Sequence, residues 1–268
     1  MIDKRFVYRG SAVGVEARVT RILTQDGLQH VIPVQGASTL PQTGGLSESS
    51  VRGYDHPEKA PNGKPLVHVG SATTRAAGHP VGVHFVTEVS ASVEDVDFYG
   101  QLYIGSASAS LVSIHDGHNA GPLIHPDKIE IKGLNLGGYG LTVRFDLSPF
   151  TENRTMRALQ AAYSNDNTLR QKCAARFNTE PSSLSMQEYG GYCVTSLATE
   201  FIWDREKHPK VEPDGYSLVW NGFGRIMFGE MLISGHEYRL TLMRLRMGSD
   251  VGGDGSVCSI DTDGSTMP

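Results

Sequence analysis

The chain has 268 residues, 39 % of them apolar, and 24 Lys and Arg against 29 Asp and Glu give a net charge of −5. That charge excludes a general nucleic-acid binder, which needs a basic stripe to displace counterions, and no apolar stretch approaches the ~18–20 residues of a membrane-spanning helix. Glycine is abundant at 31 residues, but without a Gly-X-Y period, which excludes collagen.

The length suits a single domain with a substantial core. Met1-Ile2-Asp3-Lys4-Arg5 lacks the charged-then-apolar order of a secretory signal. The chain therefore reads as cytoplasmic or leaderless, with the cell surface as the alternative.

Taken in order, Val13, Val15, Ala17 and Val19 alternate with Gly14, Glu16, Arg18 and Thr20, the pattern of a strand with one buried face. Asp26-Gly27 signals a turn into a strand over 30–34, where Pro33 predicts an edge or a strand end. Residues 36–63 read as loop with one short strand near Ser50-Val51-Arg52. A strand is predicted at 66–73. From Val81 to Val93 the odd positions are apolar or β-branched, a run long enough to require a bend or bulge. Glu94-Asp95-Val96-Asp97 interrupts it, and a second run over 98–114 should pair with the first antiparallel. Strands follow at 128–132 and 141–147.

Between about 150 and 190 the period becomes helical: Met156, Leu159 and Tyr163, then Leu169, Cys173 and Phe177. Thr151 and Asn167 are suitable caps, and a helical hairpin is expected to cover one face of the last strand. Strands resume at 192–203, 216–220, 225–234 and 236–247. Tyr238, Leu240 and Leu242 lie on one face of the last strand and Met243, Leu245 and Met247 on the other, which predicts a central strand covered on both sides. The tail from Gly248 has few large apolar residues and is expected to pack lightly. The fold class is all-β with a small helical insert, one mostly antiparallel sandwich-like domain over 1–268. A β-solenoid is the alternative suggested by the Gly and Ser spacing.

Two clusters could hold a divalent metal. His115, Asp116, His118 and His125 bring imidazole and carboxylate into one short stretch. Asp250, Asp254, Asp261 and Asp263 stand among glycines and suit calcium's preference for oxygen, but they lack the spacing of a twelve-residue calcium loop. Solvated loops are the simpler account of both, so no cofactor is required. Leu40-Pro41-Gln42-Thr43-Gly44 spells a sortase signal, but reads as a proline-containing loop. Arg239, Arg244 and Arg246 could grip an anion, or pair with nearby acids. Tyr99, Tyr103, Trp203 and Trp220 are candidate platforms for a sugar. A Cys173–Cys193 bridge is possible in principle, and Cys258 is left over. No nucleophile elbow, phosphate loop or dinucleotide fingerprint is present.

Four segments resemble bacterial proteins of the choice-of-anchor P family: Gly10-Ser11-Ala12-Val13-Gly14-Val15, Thr39-Leu40-Pro41-Gln42-Thr43-Gly44-Gly45, Ala91-Ser92-Val93-Glu94-Asp95-Val96 and Gly105-Ser106-Ala107-Ser108-Ala109-Ser110. The likeness spans residues 10–147. It implies a β-rich, non-catalytic module and supplies no catalytic residue. The expected function is a non-enzymatic structural or binding module, self-assembling or surface-associated, that meets a protein partner or copies of itself. A metal-dependent enzyme built on His115, His118 and His125, or a carbohydrate-binding sandwich, are the alternatives.

Overall fold

A computed structural model describes residues 5–21, 30–57, 64–116, 122–165, 167, 171, 193–208, 210–234, 237–248 and 252–267. In chain order the elements are β1 (Arg5–Arg21), β2 (His30–Thr39), β3 (Gly45–His56), β4 (Val67–Val81), β5 (His84–Phe98), β6 (Leu102–His115), β7 (Leu123–Lys132), β8 (Leu134–Leu136) and β9 (Tyr139–Phe145). Then follow α1 (Ser148–Glu152), α2 (Met156–Asn165), β10 (Cys193–Ser196), β11 (Ala198–Trp203), β12 (Val211–Asp214), β13 (Ser217–Trp220), β14 (Gly224–Ile233), β15 (Tyr238–Met247) and β16 (Gly252–Met267).

They form two antiparallel sheets. The first runs β12-β13-β14-β15-β16-β1-β2, with β10 also on β14; the second runs β11-β9-β8-β6-β5-β4-β3, with β7 also on β6. The sheets pack face to face over a core that includes Val15, Val69, Val96, Phe98, Ile104, Leu111, Leu240 and Leu245. The all-β sandwich expected from period-two patterning is what the chain forms. Strand β2 changes sheet partner through the turn at Leu40–Gly44, where the Leu40 amide donates to the Gly10 carbonyl at 2.8 Å. At the opposite side Leu197 joins β10 to β11: its amide donates to Gly229 of the first sheet, and its carbonyl accepts from Asp146 beside the second, both at 2.8 Å.

The central feature of both sheets is a row of residues at which each strand it crosses reverses its face. In the second sheet the register aligns Gly53, Gly70, Asp95, Gly105 and Gly133 across β3, β4, β5, β6 and the β7–β8 junction. Gly53, Asp95 and Gly133 have φ of 65°, 54° and 65°, so every second strand passes through the left-handed region. In the first sheet the row is Gly229, Leu242, Cys258, Gly14 and Gly36, and again alternate members are left-handed, at 58°, 50° and 69°. Side chains normally alternate with period two. One left-handed residue turns the following chain over, and alternation resumes with opposite parity. Hydrogen-bonded neighbours must reverse at the same level to stay paired, so the reversals line up.

This row corrects three expectations. Tyr238, Leu240 and Leu242 and then Met243, Leu245 and Met247 are all buried, because β15 reverses between Leu242 and Met243 and both triplets face the interior. The strand is central, as expected, but one-sided. Glu94-Asp95-Val96-Asp97 is no interruption: it is the bend inside β5. The tail is not lightly packed either. Strand β16 lies between β15 and β1, with Val257, Cys258, Ile260 and Thr262 all at 0 % exposure.

Two further expectations change. Residues 45–56 form the twelve-residue β3 rather than a loop with a short strand. Helix α1 packs beside β7 rather than over the last strand, with Phe150 buried and the Arg154 carbonyl accepting from Ile124 at 2.8 Å. Thr155, not Thr151, caps α2 by accepting from the Ala158 amide at 3.0 Å. The second helix of the expected hairpin, the Cys173–Cys193 pairing and the Asp26-Gly27 turn lie outside the described side chains and residues.

Candidate functional site

Strand β2 is the edge of the first sheet, as Pro33 predicts. Its register on β1 slips between Val15 and Ala17, and at this bulge Pro33 and Val34 are both exposed while Ile32 and Gln35 are buried. The Gln35 amide holds the bulge by donating to the Pro33 carbonyl at 2.8 Å. The result is an apolar rim on a solvent-facing edge: Val31 is 62 % exposed and Val34 45 %.

Below this rim the outward side chains of β1, β16 and β15 form two cross-strand rows, Glu16–Ser256–Arg244 and Arg18–Asp254–Arg246. Ser256 donates to Glu16 Oε1 at 2.8 Å, and Arg244 Nη2 donates to Glu230 Oε1 at 2.8 Å. Rim and floor enclose a cleft of about 450 Å³, lined by Val31, Pro33 and Val34 on one side and Glu16, Arg18, Arg244, Asp254 and Ser256 on the other. That volume is within the usual range for ligand sites. Charges of both signs at strand spacing, under an apolar wall, can contact a chain in extended conformation.

A second cluster surrounds Asp95 on the outer face of the other sheet. His68 Nδ1 donates to Asp55 Oδ1 at 2.6 Å, and its Nε2 lies 3.5 Å from Asp95 Oδ2. The Asp55 hydrogen bond is the chief reason the His68 pKa is raised, so the imidazolium is favoured. Asp95 also raises the pKa of Tyr103, which is 38 % exposed. Asp95 is one of the few non-glycine residues at positive φ, and its carboxylate holds two neighbouring strands at the point of reversal.

The histidines expected to share a metal are not brought together. His115 points into the sandwich, 6 % exposed, its ring 4.8 Å from that of Phe6. Burial holds its pKa down to about 4, against a smaller opposing effect of Asp116. His125 pairs with Val112, on the outer side of β6 and β7, away from His115. Burial, and then Arg154, lower its pKa. Asp116 follows the end of β6, and His118 lies outside the described residues.

The acids of the tail are spread along β16. Asp254 and Asp261 are seven residues apart, about 23 Å in a strand, and each acid faces an arginine across the sheet. Asp254 sits between Arg18 and Arg246, Asp261 opposite Arg239, and Asp263 pairs with Arg9 at 3.4 Å. Asp261 accepts from the Ser11 hydroxyl, and burial raises its pKa. Asp250 lies outside the described residues. Among the described residues no group of three His, Cys, Asp or Glu is placed to hold a metal ion. The arginines pair with acids: Arg239 with Glu237 at 3.1 Å, Arg244 with Glu230.

The aromatic candidates do not form a common platform. Trp220 is buried and stacked on Phe223 at 4.8 Å. Trp203 packs against the core beneath the Arg205 guanidinium, at 4.8 Å from its ring, while Tyr103 is on the outer face. The cleft residues Val31, Pro33 and Val34 escaped sequence reasoning, because alternation alone does not reveal which side of an edge strand is left open.

No helix among the described residues is long and apolar enough to cross a membrane. No match is found among curated proteins or among solved structures. A family model does match, over residues 6–234, and it covers both sheets as far as the end of β14. By that match the chain belongs to the family described as Domain of unknown function (DUF8256).

Proposed function

We propose that the protein is a non-enzymatic binding module, and that the cleft beneath β2 takes an extended segment of a partner protein in which apolar and charged side chains alternate. The supporting observation is the pairing of an exposed apolar rim, Val31, Pro33 and Val34, with a floor bearing both Arg18 and Arg244 and both Glu16 and Asp254. An extended chain presents side chains to alternate sides. One side then meets the valines, while the other is matched by guanidinium and carboxylate groups.

A partner of different sequence is favoured over copies of the same chain. Exposed strand edges template pairing unless something blocks them. At the cleft itself the edge strand β2 carries Pro33, which has no amide to donate, so pairing of β2 with β2 of another copy is interrupted there. Surface association is the role that the resemblance to choice-of-anchor P proteins adds to this reading.

Panning a library of linear peptides against the protein tests it. Enriched peptides should bind the wild type and lose at least about tenfold in affinity to the doubly substituted Val31→Asp, Val34→Asp protein, since each buried apolar side chain contributes roughly 1.5–3 kcal/mol. Failure to enrich, or equal binding to both proteins, would overturn it. Light scattering that grows with concentration would point instead to copies of the chain.

A further inference from the structure

Three hydroxyls and one imidazole nitrogen sit between the sheets without a hydrogen-bond partner among the described residues: Thr87 Oγ1, Ser113 Oγ, Thr262 Oγ1 and His115 Nε2. Thr87, Ser113 and Thr262 are 0 % exposed. The register gathers them. Thr87 stands opposite Ser113 on β5 and β6, and His115 follows Ser113 on the same face. From the facing sheet, Thr262 stands opposite Gly10, and a Cβ on Gly10 would lie 3.2 Å from Thr87 Cγ2. One same-face step beyond Thr262 is Gly264, where a Cβ would lie 3.1 Å from His115 Nε2.

A buried hydroxyl with no partner destabilises, whereas valine fills the shape of threonine without a polar atom. A dry interlayer here would favour valine at 87 and 262, as at Val89 and Val93 along the same face of β5.

We propose that Thr87, Ser113, Thr262 and His115 form an internal hydration site, in which one or two ordered water molecules bridge the two sheets and donate to His115 Nε2. Water is a ligand of matching chemistry: it offers two donors and two acceptors, and a buried water typically makes about three hydrogen bonds to polar groups that otherwise have no partner. The neutral imidazole that burial enforces has one nitrogen free to accept. The site would fasten β16 to β5 and β6 where glycine has removed the side chains that otherwise interlock.

Water–protein nuclear Overhauser spectra of the labelled full chain test this directly. Cross-peaks from long-lived water to Thr87 and Thr262 are expected in the wild type, and their absence would overturn the proposal without any substitution. Thr262→Val should abolish the peak to Thr87 and lower the Tm by about 2–4 °C, while Thr262→Ser should keep the water. A Tm that rises in Thr262→Val would show a dry site and also overturn it.

Discussion

The reversal rows divide the sandwich into two ends that are built differently. At one end the inward residues of both sheets are Val15, Val19, Val67, Val69, Val96, Phe98, Leu102, Ile104 and Leu245, an interior of apolar side chains. At the other, Phe6, Tyr8, Phe85 and His115 cluster in ring contact, with Phe6 stacked on Phe85 at 4.4 Å. Around them stand Gly10, Gly78 and Gly264 and the hydroxyls of Thr87, Ser113 and Thr262. The long strands β1, β4, β5, β6, β15 and β16 run through both ends. The ends differ in what the interlayer holds, so one end should respond only to loss of volume and the other also to protons.

The largest effect should come from removing the central strand of one end. Truncation after Ile260 removes the half of β16 that pairs β1 with β15 at the aromatic end. Cooperative thermal unfolding should disappear, as followed by circular dichroism. A truncated chain with a near wild-type Tm would mean that the end is held without its central strand.

Next in size are large-to-small changes at the aliphatic end. Ile104→Ala and Leu245→Ala should each cost about 2–5 kcal/mol in denaturant melts, and the cost should be the same at pH 7 and pH 5, since the inward residues named for that end carry no titratable group and buried His208 lies against Tyr139 and Trp220. A cost that changes with pH would contradict the division.

The aromatic end should instead titrate. His115 holds its proton in the unfolded chain below about 6.5 but in the folded chain only below about 4. Between these values the unfolded state binds more protons, so stability is full above about pH 6.5 and falls as pH drops toward 4. The loss should be on the order of 1–3 kcal/mol, and His115→Gln should flatten the curve. His68 supplies the opposite sign from the surface. Its pKa is raised by Asp55, so its contribution is present below its ordinary value and fades as pH rises through the folded one. His68→Asn should remove that contribution, under about 1 kcal/mol for an exposed pair.

Much of the division was legible in the sequence, but not its cause. Alternation over 81–93 located the inner face of β5 from Phe85 onward, but Val81 ends β4 and Val83 lies in the turn between the two strands, both exposed; Pro33 located an edge. At Leu242-Met243 two consecutive apolar residues read as burial on two sides, because hydropathy records which residues are apolar and not where the backbone turns over. The glycines at 14, 36, 53, 70, 105, 133 and 229 are scattered in sequence; only strand register sets them at one level. Strand β16 escaped because Gly, Ser and Thr dominate it, and what holds it central is a ladder on both sides, to which side-chain hydropathy is blind. The cleft is illegible for a related reason: an exposed valine is recognised only once the pairing of its strand is known.

The smallest effect tests the row itself. Asp95 occupies φ 54° where the other left-handed members of its row, Gly53 and Gly133, are glycine. A left-handed residue other than glycine costs roughly 1–2 kcal/mol, least for Asp and Asn. Asp95→Gly removes that cost, but it also loses the contact to His68 and loosens the unfolded chain. These terms are each about 1 kcal/mol or less and oppose one another, so the stability should shift by under about 1 kcal/mol. Asp95→Ala keeps the backbone cost and loses the carboxylate, so it should be the less stable of the two by about 1 kcal/mol. Urea melts of the two variants decide the matter. If Ala were as stable as Gly at this position, the left-handed backbone would not be what turns β5 over, and the boundary between the two ends would need another origin.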